Sequence, residues 1–266
     1  MGLEHIVGET QVSRRNLFRL GALGLGTYLV SQVPAFGQDA QVARNNNTPA
    51  TNGAQPTVSF EDLRTQGDRY LQAHQYPQAI DTYTQALSVQ GHENDPAILN
   101  QRGAARSDSG DYQGAITDYE HSLRYNSINS IVRKNLGLTQ YRVGRDQRNQ
   151  DLATNAVHNL YMAKELAYAQ LIVLNSYDED LQGVQRRART DFPNLDTSEP
   201  ARGMTRAERF RSAQELRNDN KPAALYLYRR VVAENATDEM GQRAASRIPH
   251  LENYLRQHGL NEIAMR

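Results

Sequence analysis

The sequence predicts an all-α protein: a short superhelix of antiparallel helix pairs followed by divergent helices toward the C-terminus. The first sign is a repeat. Tyr76-Pro-Gln-Ala79-Ile80-Asp-Thr-Tyr83 recurs as Tyr112-Gln-Gly-Ala115-Ile116-Thr-Asp-Tyr119, each copy preceded at the same distance by a glycine, Gly67 and Gly103, so the unit repeats every 36 residues. A period of this size holds two short helices and is too short for a strand–helix–strand unit with its own core. The second sign is that small and apolar residues within each unit recur at helical spacing. The third is punctuation, because helix-start signals fall where the repeat needs its boundaries.

In the first unit, Leu63, Gly67 and Tyr70 share one face of a first helix, and the glycine admits a close neighbour. Ala79, Ile80, Tyr83, Ala86 and Leu87 form the facing stripe of the second helix, alanines giving contact and tyrosines filling space. The turn Ala73-His-Gln-Tyr76-Pro77 joins them, with Pro77 suited to a first helical turn. The second unit opens on Asp95-Pro96, a capping acid and a proline at the first helical position. It continues through Leu99 and Gly103, turns at Asp108-Ser-Gly110-Asp111, and returns through Ala115, Ile116, Tyr119 and Leu123.

These residues resemble the tetratricopeptide (TPR) repeat family, whose signature is a glycine and a tyrosine in helix A and a spaced Ala, aromatic, Ala set in helix B. Gly67, Tyr70, Tyr76, Ala79, Tyr83 and Ala86 match it in the first unit. Gly103, Gly110, Tyr112, Ala115 and Tyr119 match it in the second, where Arg106 replaces the helix A tyrosine and Ser122 the last alanine. A third helix A follows 34 residues after the second, with Leu136, Gly137, Tyr141 and Gly144. Its helix B signature is degraded over Asp146 to Asp151. TPR-like repeats are therefore expected over 58–150 and a divergent helical region over 151–266.

Within that region, Leu152 to Asn175 reads as one long buried or capping helix that closes the third repeat. His158, Lys164 and Glu165 inside it argue against a membrane span. A short helix is expected at about 179–190, ending before Phe192-Pro193, with a loop from Asp196 to Gly203. Ala213, Leu216, Pro222, Ala223, Ala224, Tyr228 and Val231 predict a TPR-like pair over about 206–235. Met240 to Leu255 predicts a last helix interrupted near Pro249.

The front of the chain carries a different signal. Arg14 and Arg15 precede Asn16-Leu17-Phe18, then a moderately apolar stretch from Leu20 to Val30, then Pro34-Ala35-Phe36-Gly37. That order of basic, apolar and small-residue segments is that of an export signal over 1–37, and the arginine pair resembles the twin-arginine type. The expectation is export to the periplasm or thylakoid lumen, with the twin-arginine translocase as a transient partner and cleavage after Gly37. Gln38 to Thr57, rich in Asn, Gln, Ala and Thr, predicts a disordered linker over 38–57.

Composition narrows the function. The chain has 266 residues, 30 basic and 30 acidic, and no cysteine. The near balance gives no general attraction to nucleic acid or anionic lipid, and no nucleic-acid partner is expected. Without cysteine there is no disulfide, thiolate ligand or thiol nucleophile. His92-Glu93 lacks a second histidine one turn on, His158 with Glu165 is too small a set for a metal, and Asp178-Glu179-Asp180 lacks the spacing of a calcium loop. Ser109-Gly110 has no strand-to-helix elbow. No cofactor and no metal are expected.

The predicted function is accordingly a non-catalytic scaffold that binds a protein or peptide. An assembly factor or accessory subunit of an exported or membrane complex suits so short an array, with association at the periphery of such a complex. Candidate groove positions on the first helices of the pairs are Arg64, Asp68, Gln101, Arg102, Arg106, Arg133, Lys134 and Gln140. Arg102, Arg106, Arg133 and Lys134 are expected to clamp a carboxylate or an acidic helix together. The resemblance implies that such grooves bind peptide segments or neighbouring subunits. The alternative is a hydrolase acting on envelope material, drawing acid and base groups such as Glu165, Asp178 and Glu179 from 150–210.

Overall fold

The computed structural model describes residues 58–170, 172 and 175–260. The export signal expected at Arg14 and Arg15 and the linker expected over 38–57 lie outside the described residues. The described chain is all-α. Its helices are α1 (Phe60–Gln72), α2 (Tyr76–Ala86), α3 (Pro96–Ser109), α4 (Tyr112–Tyr125), α5 (Ser130–Gln147), α6 (Gln150–Ala169), α7 (Asn175–Asp191), α8 (Glu199–Arg202), α9 (Arg206–Asp219), α10 (Lys221–Glu234) and α11 (Glu239–Gln257). Neighbours in sequence pack as antiparallel pairs, α1 with α2, α3 with α4, α5 with α6 and α9 with α10, in a TPR-like array.

Local chemistry sets the boundaries. Ser59 and Asp62 close a capping box at the start of α1, and Asp95 accepts from the amides of Ala97 and Ile98 ahead of Pro96. Helix α3 runs on to Ser109, so the turn to α4 shrinks to Gly110 and Asp111; Gly110 has φ of 93°, a left-handed cap that a side chain disfavours. Asn129 caps α5 and Asn149 caps α6, and α6 is the long helix that closes the third pair. That pair straddles residue 150, where the repeat signature fades in the sequence.

Each pair is drawn together at one glycine. A Cβ on Gly67 would lie 2.5 Å from Cε1 of Tyr83, and one on Gly103 would lie 2.8 Å from Cε1 of Tyr119. At Gly137 it would lie 2.9 Å from the backbone oxygen of Ala156 and 3.0 Å from Cγ of Leu160. The close approach thus persists in the third pair with an alanine and a leucine where the first two use tyrosine. Ala79, Tyr83, Ala115 and Tyr119 are fully or almost fully buried, as is the core contributed by Leu63, Ile98, Leu99 and Val132.

Four expectations for the C-terminal half are corrected. The long helix expected over Leu152 to Asn175 runs from Gln150 and stops at Ala169, while Asn175 opens α7. The helix expected at about 179–190 begins earlier, at Asn175, because Tyr177 and Leu181 are buried and extend the apolar stripe of Val184 and Ala188. The loop expected from Asp196 to Gly203 contains the single turn α8. Helix α11 runs unbroken through Pro249; the proline is exposed, so its ring and missing donor face solvent while Ala244, Leu251 and Leu255 keep the buried stripe continuous.

Helix α7 packs on both α5 and α6, just as α3 packs on α1 and α2. It therefore extends the row of first helices to α1, α3, α5 and α7. The C-terminal group α9–α11 does not continue that row. Its helix α10 docks on α6, and Met162, Leu166 and Ala169 of α6 join Ala213, Leu216, Leu227, Tyr228 and Leu251 in one core. Among the described residues no helix is long and apolar enough to cross a membrane.

Candidate partner-binding surface

The row α1, α3, α5, α7 is stitched laterally by polar side chains. Gln101 Nε2 on α3 donates to Asp68 Oδ1 on α1 at 3.4 Å, and the Ser107 and Thr139 hydroxyls meet at 3.3 Å between α3 and α5. Between α5 and α7, Lys134 Nζ pairs with Asp180 at 3.4 Å, Ser130 meets the Tyr177 hydroxyl at 3.1 Å, and Tyr141 donates to Asp191 at 2.6 Å. Burial, chiefly, and the lone pairs of Asp68 and Asp191 push the Tyr83 and Tyr141 phenols far above the ordinary range.

This network accounts for most of the predicted groove residues. The four-cation clamp is corrected by the geometry. Arg102 donates through Nε and Nη2 to both oxygens of Asp118 at 2.9 and 2.7 Å, and Arg106 Nη1 reaches the same carboxylate at 2.8 Å. Asp118 is 2% exposed, so the two guanidiniums neutralise an interior charge of their own helix pair. Arg133 donates to the Ser127 carbonyl at 3.0 Å, and burial pulls its pKa down; Gln140 is buried and accepts from Asn159 at 2.9 Å. Lys134 is held by Asp180 and lies over the Tyr177 ring. Arg64 is exposed, with Glu61 as a solvent-facing partner, and Asp68 is half-buried.

A partly accessible stripe remains on the first helices, and it includes Arg64 and Asp68 of the expected set. Gly67, Gly103 and Gly137 face the second helix of each pair, and the next residue, turned about 100° around the helix, lies on its flank, where Asp68 still accepts from the Tyr83 hydroxyl at 2.6 Å. These residues are Asp68, Ala104 and Leu138, all half-buried, with Arg64 one turn before Asp68 and Asn135 one turn before Leu138. Ala104, Asn135 and Leu138 were not in the expected set, and spacing alone would have found them once the glycines were assigned to the helix contact.

The hydrolase candidates are not gathered. His158 and Glu165 both lie on α6 and both face α9, but His158 meets Glu208 while Glu165 is bound by Arg209, itself 6% exposed and also paired with Glu234. Asp178 pairs with Lys164 at 2.8 Å, and Glu179 is exposed. An open cleft between α6, α8 and α10 is lined by Tyr161, Lys164, Tyr168, Glu199, Met204 and Tyr226 among others. Among the described residues no group of three or more His, Cys, Asp or Glu is placed to hold a metal ion. His92 stacks on Phe60, Glu93 accepts from the Gly91 amide, and Ser109 donates to the Arg106 carbonyl.

No protein-family description matches the chain. A stretch of 99 residues, 37% of this chain, is 30% identical to the heat-shock protein cognate (HSC) co-chaperone sgt12 of Aspergillus fumigatus. The chain covers 28% of that protein's length. Helix-pair architecture and this partial similarity are consistent with a protein-binding role in general.

Proposed function

We propose that the protein is a non-catalytic scaffold of the TPR type, in which the row α1, α3, α5 receives an extended or helical segment of a protein partner. The observation that carries this reading is that one half-buried residue recurs per helix pair at the same step after the glycine, Asp68, Ala104 and Leu138, with Asp68 also accepting from Tyr83 and Gln101 and Leu138 also resting on the core of α6 and α7. Similarity to part of a co-chaperone supports a protein partner. Repeated positions along a row read successive side chains of one segment better than a single small molecule.

The test is affinity capture on immobilised protein, comparing wild type with Ala104→Arg and with Arg64→Glu. A partner lost in Ala104→Arg while the melting temperature holds supports the row; equal capture moves the interface elsewhere. Arg102 and Arg106 are unsuitable for this purpose, because charge reversal there would expose Asp118 to repulsion.

Arg14 and Arg15, the apolar stretch and Pro34-Ala35-Phe36-Gly37 support export by the twin-arginine route, to the periplasm or thylakoid lumen, as part of the same proposal. A role as assembly factor or accessory subunit there follows from the short array. Residues 1–40 fused to a folded reporter should direct its export, and Arg14→Lys with Arg15→Lys should stop it. Full export by the double variant would remove this part of the proposal.

A further inference from the structure

The imidazole of His158 sits between two acceptors. Its Nδ1 lies 3.0 Å from the Arg202 carbonyl oxygen at the end of α8, and its Nε2 lies 3.2 Å from Oε1 of Glu208 in the first turn of α9. A carbonyl oxygen cannot donate. Glu208 is held as a carboxylate, since its Oε2 already accepts from the amide and hydroxyl of Thr205, both at 2.7 Å. A neutral imidazole carries one N–H and can satisfy only one of these partners; the imidazolium carries two and satisfies both. The side chains of His158 and Glu208 are about 70% shielded from water, their exposures being 30% and 29%.

We propose that protonated His158 is a latch that clamps α8 and the first turn of α9 against α6, and that rising pH releases it and frees one wall of the α6–α8–α10 cleft. The inference goes beyond partner binding and does not depend on it. Glu199 of α8 and Gly203 and Met204, which precede α9, line that cleft, and the Arg202 carbonyl held by the latch lies among them in sequence. The charged groups facing the ring are Glu208 on α9 and Arg133 on α5, the second opposing protonation. The Arg202 guanidinium donates away from the ring to the Asp196 carbonyl.

The electrostatics agree with the geometry. The hydrogen bond to Glu208 raises the His158 pKa most, burial opposes it, and the Arg202 carbonyl adds to the rise. For Glu208, burial pushes the pKa up, but the bonds from His158 and Thr205 outweigh it and bring the carboxyl down to about 2. Because the folded pKa of His158 lies above its unfolded value of about 6.5, the latch is fully engaged below that value. Its contribution is lost as pH rises through the folded pKa.

The experiment uses the full-length chain with 15N-labelled histidine. At pH 6, His158, identified by its loss in His158→Gln, should show both ring nitrogens protonated, and its titration midpoint should move down in Glu208→Gln. Amide protection factors over 202–209, corrected for intrinsic exchange, should fall several-fold between pH 6 and pH 9 in wild type and stay level in His158→Gln. A single protonated nitrogen at pH 6, an unmoved midpoint in Glu208→Gln, or the same fall in His158→Gln would overturn the latch. If His158→Gln fails to fold, His158→Asn supplies both the assignment and the exchange control.

Discussion

Gly103 faces the ring of Tyr119 so closely that a single added carbon would lie 2.8 Å from Cε1 and 3.0 Å from Cδ1. Tyr119 cannot yield, because it is buried beside Asp118, whose two arginine partners fix the neighbouring backbone. Gly103→Leu should therefore force α3 and α4 apart and lower stability by about 1–3 kcal/mol through overpacking, as should Ala115→Leu. Chemical denaturation of both variants checks this. Unchanged midpoints would mean that the helix contact is elsewhere.

Asp118 holds the second pair from inside. Removing one member of a buried ion pair leaves an uncompensated charge at a cost of about 3–5 kcal/mol. Asp118→Ala leaves two guanidiniums, which are 15% and 23% exposed, facing a void and should reach that range. Arg106→Ala should cost less, since Arg102 still meets both carboxylate oxygens. Denaturant midpoints for the two single variants rank them, and the reverse order would refute the asymmetry.

Alkaline titration should meet three phenols that resist ionisation for as long as the fold holds. Tyr83, Tyr119 and Tyr141 are raised far above the ordinary phenol value, first by burial, whereas phenols in the unfolded chain ionise near pH 10. A folded pKa above the unfolded one gives stability that is complete below about pH 10 and declines as pH rises further. The phenolate absorbance of these three should thus appear together with unfolding and not before it. One smooth titration with helicity retained would contradict it.

Pro249 sits inside α11 without breaking it, so it removes one helical hydrogen bond on an exposed face. Pro249→Ala should restore that bond and relieve the ring's crowding of the preceding turn, offset by a more flexible unfolded chain. The net gain expected is about 1–2 kcal/mol. Thermal melts followed by far-UV circular dichroism should show a higher midpoint; a lower one would mean that Pro249 makes packing contacts which the alanine loses.

The helix pairs were legible because glycine, alanine and tyrosine report a steric fit between two elements of one repeat. Gly67 with Tyr83 and Gly103 with Tyr119 each stand 16 residues apart, within reach of pattern reading. Helix α7 was legible as a helix but not as the fourth member of the row. Its contacts to α5 pass through Tyr177, Asp180 and Asp191, polar or amphipathic residues that no repeat signature requires. The groove arginines misled for a related reason. A surface guanidinium and one committed to Asp118 read alike in sequence, and only the three-dimensional position of that carboxylate distinguishes them.

The docking of α10 onto the back of α6 bears on how such a chain can grow. Duplicating a unit within α1–α4 would insert one more copy of a junction the array already uses twice. A copy inserted after α6 would carry α7 forward with the new end of the row while the surface built by Met162, Leu166 and Ala169 stayed behind, so α9–α11 would have to find a new seat. An added unit is thus accommodated within α1–α4 and opposed after α6.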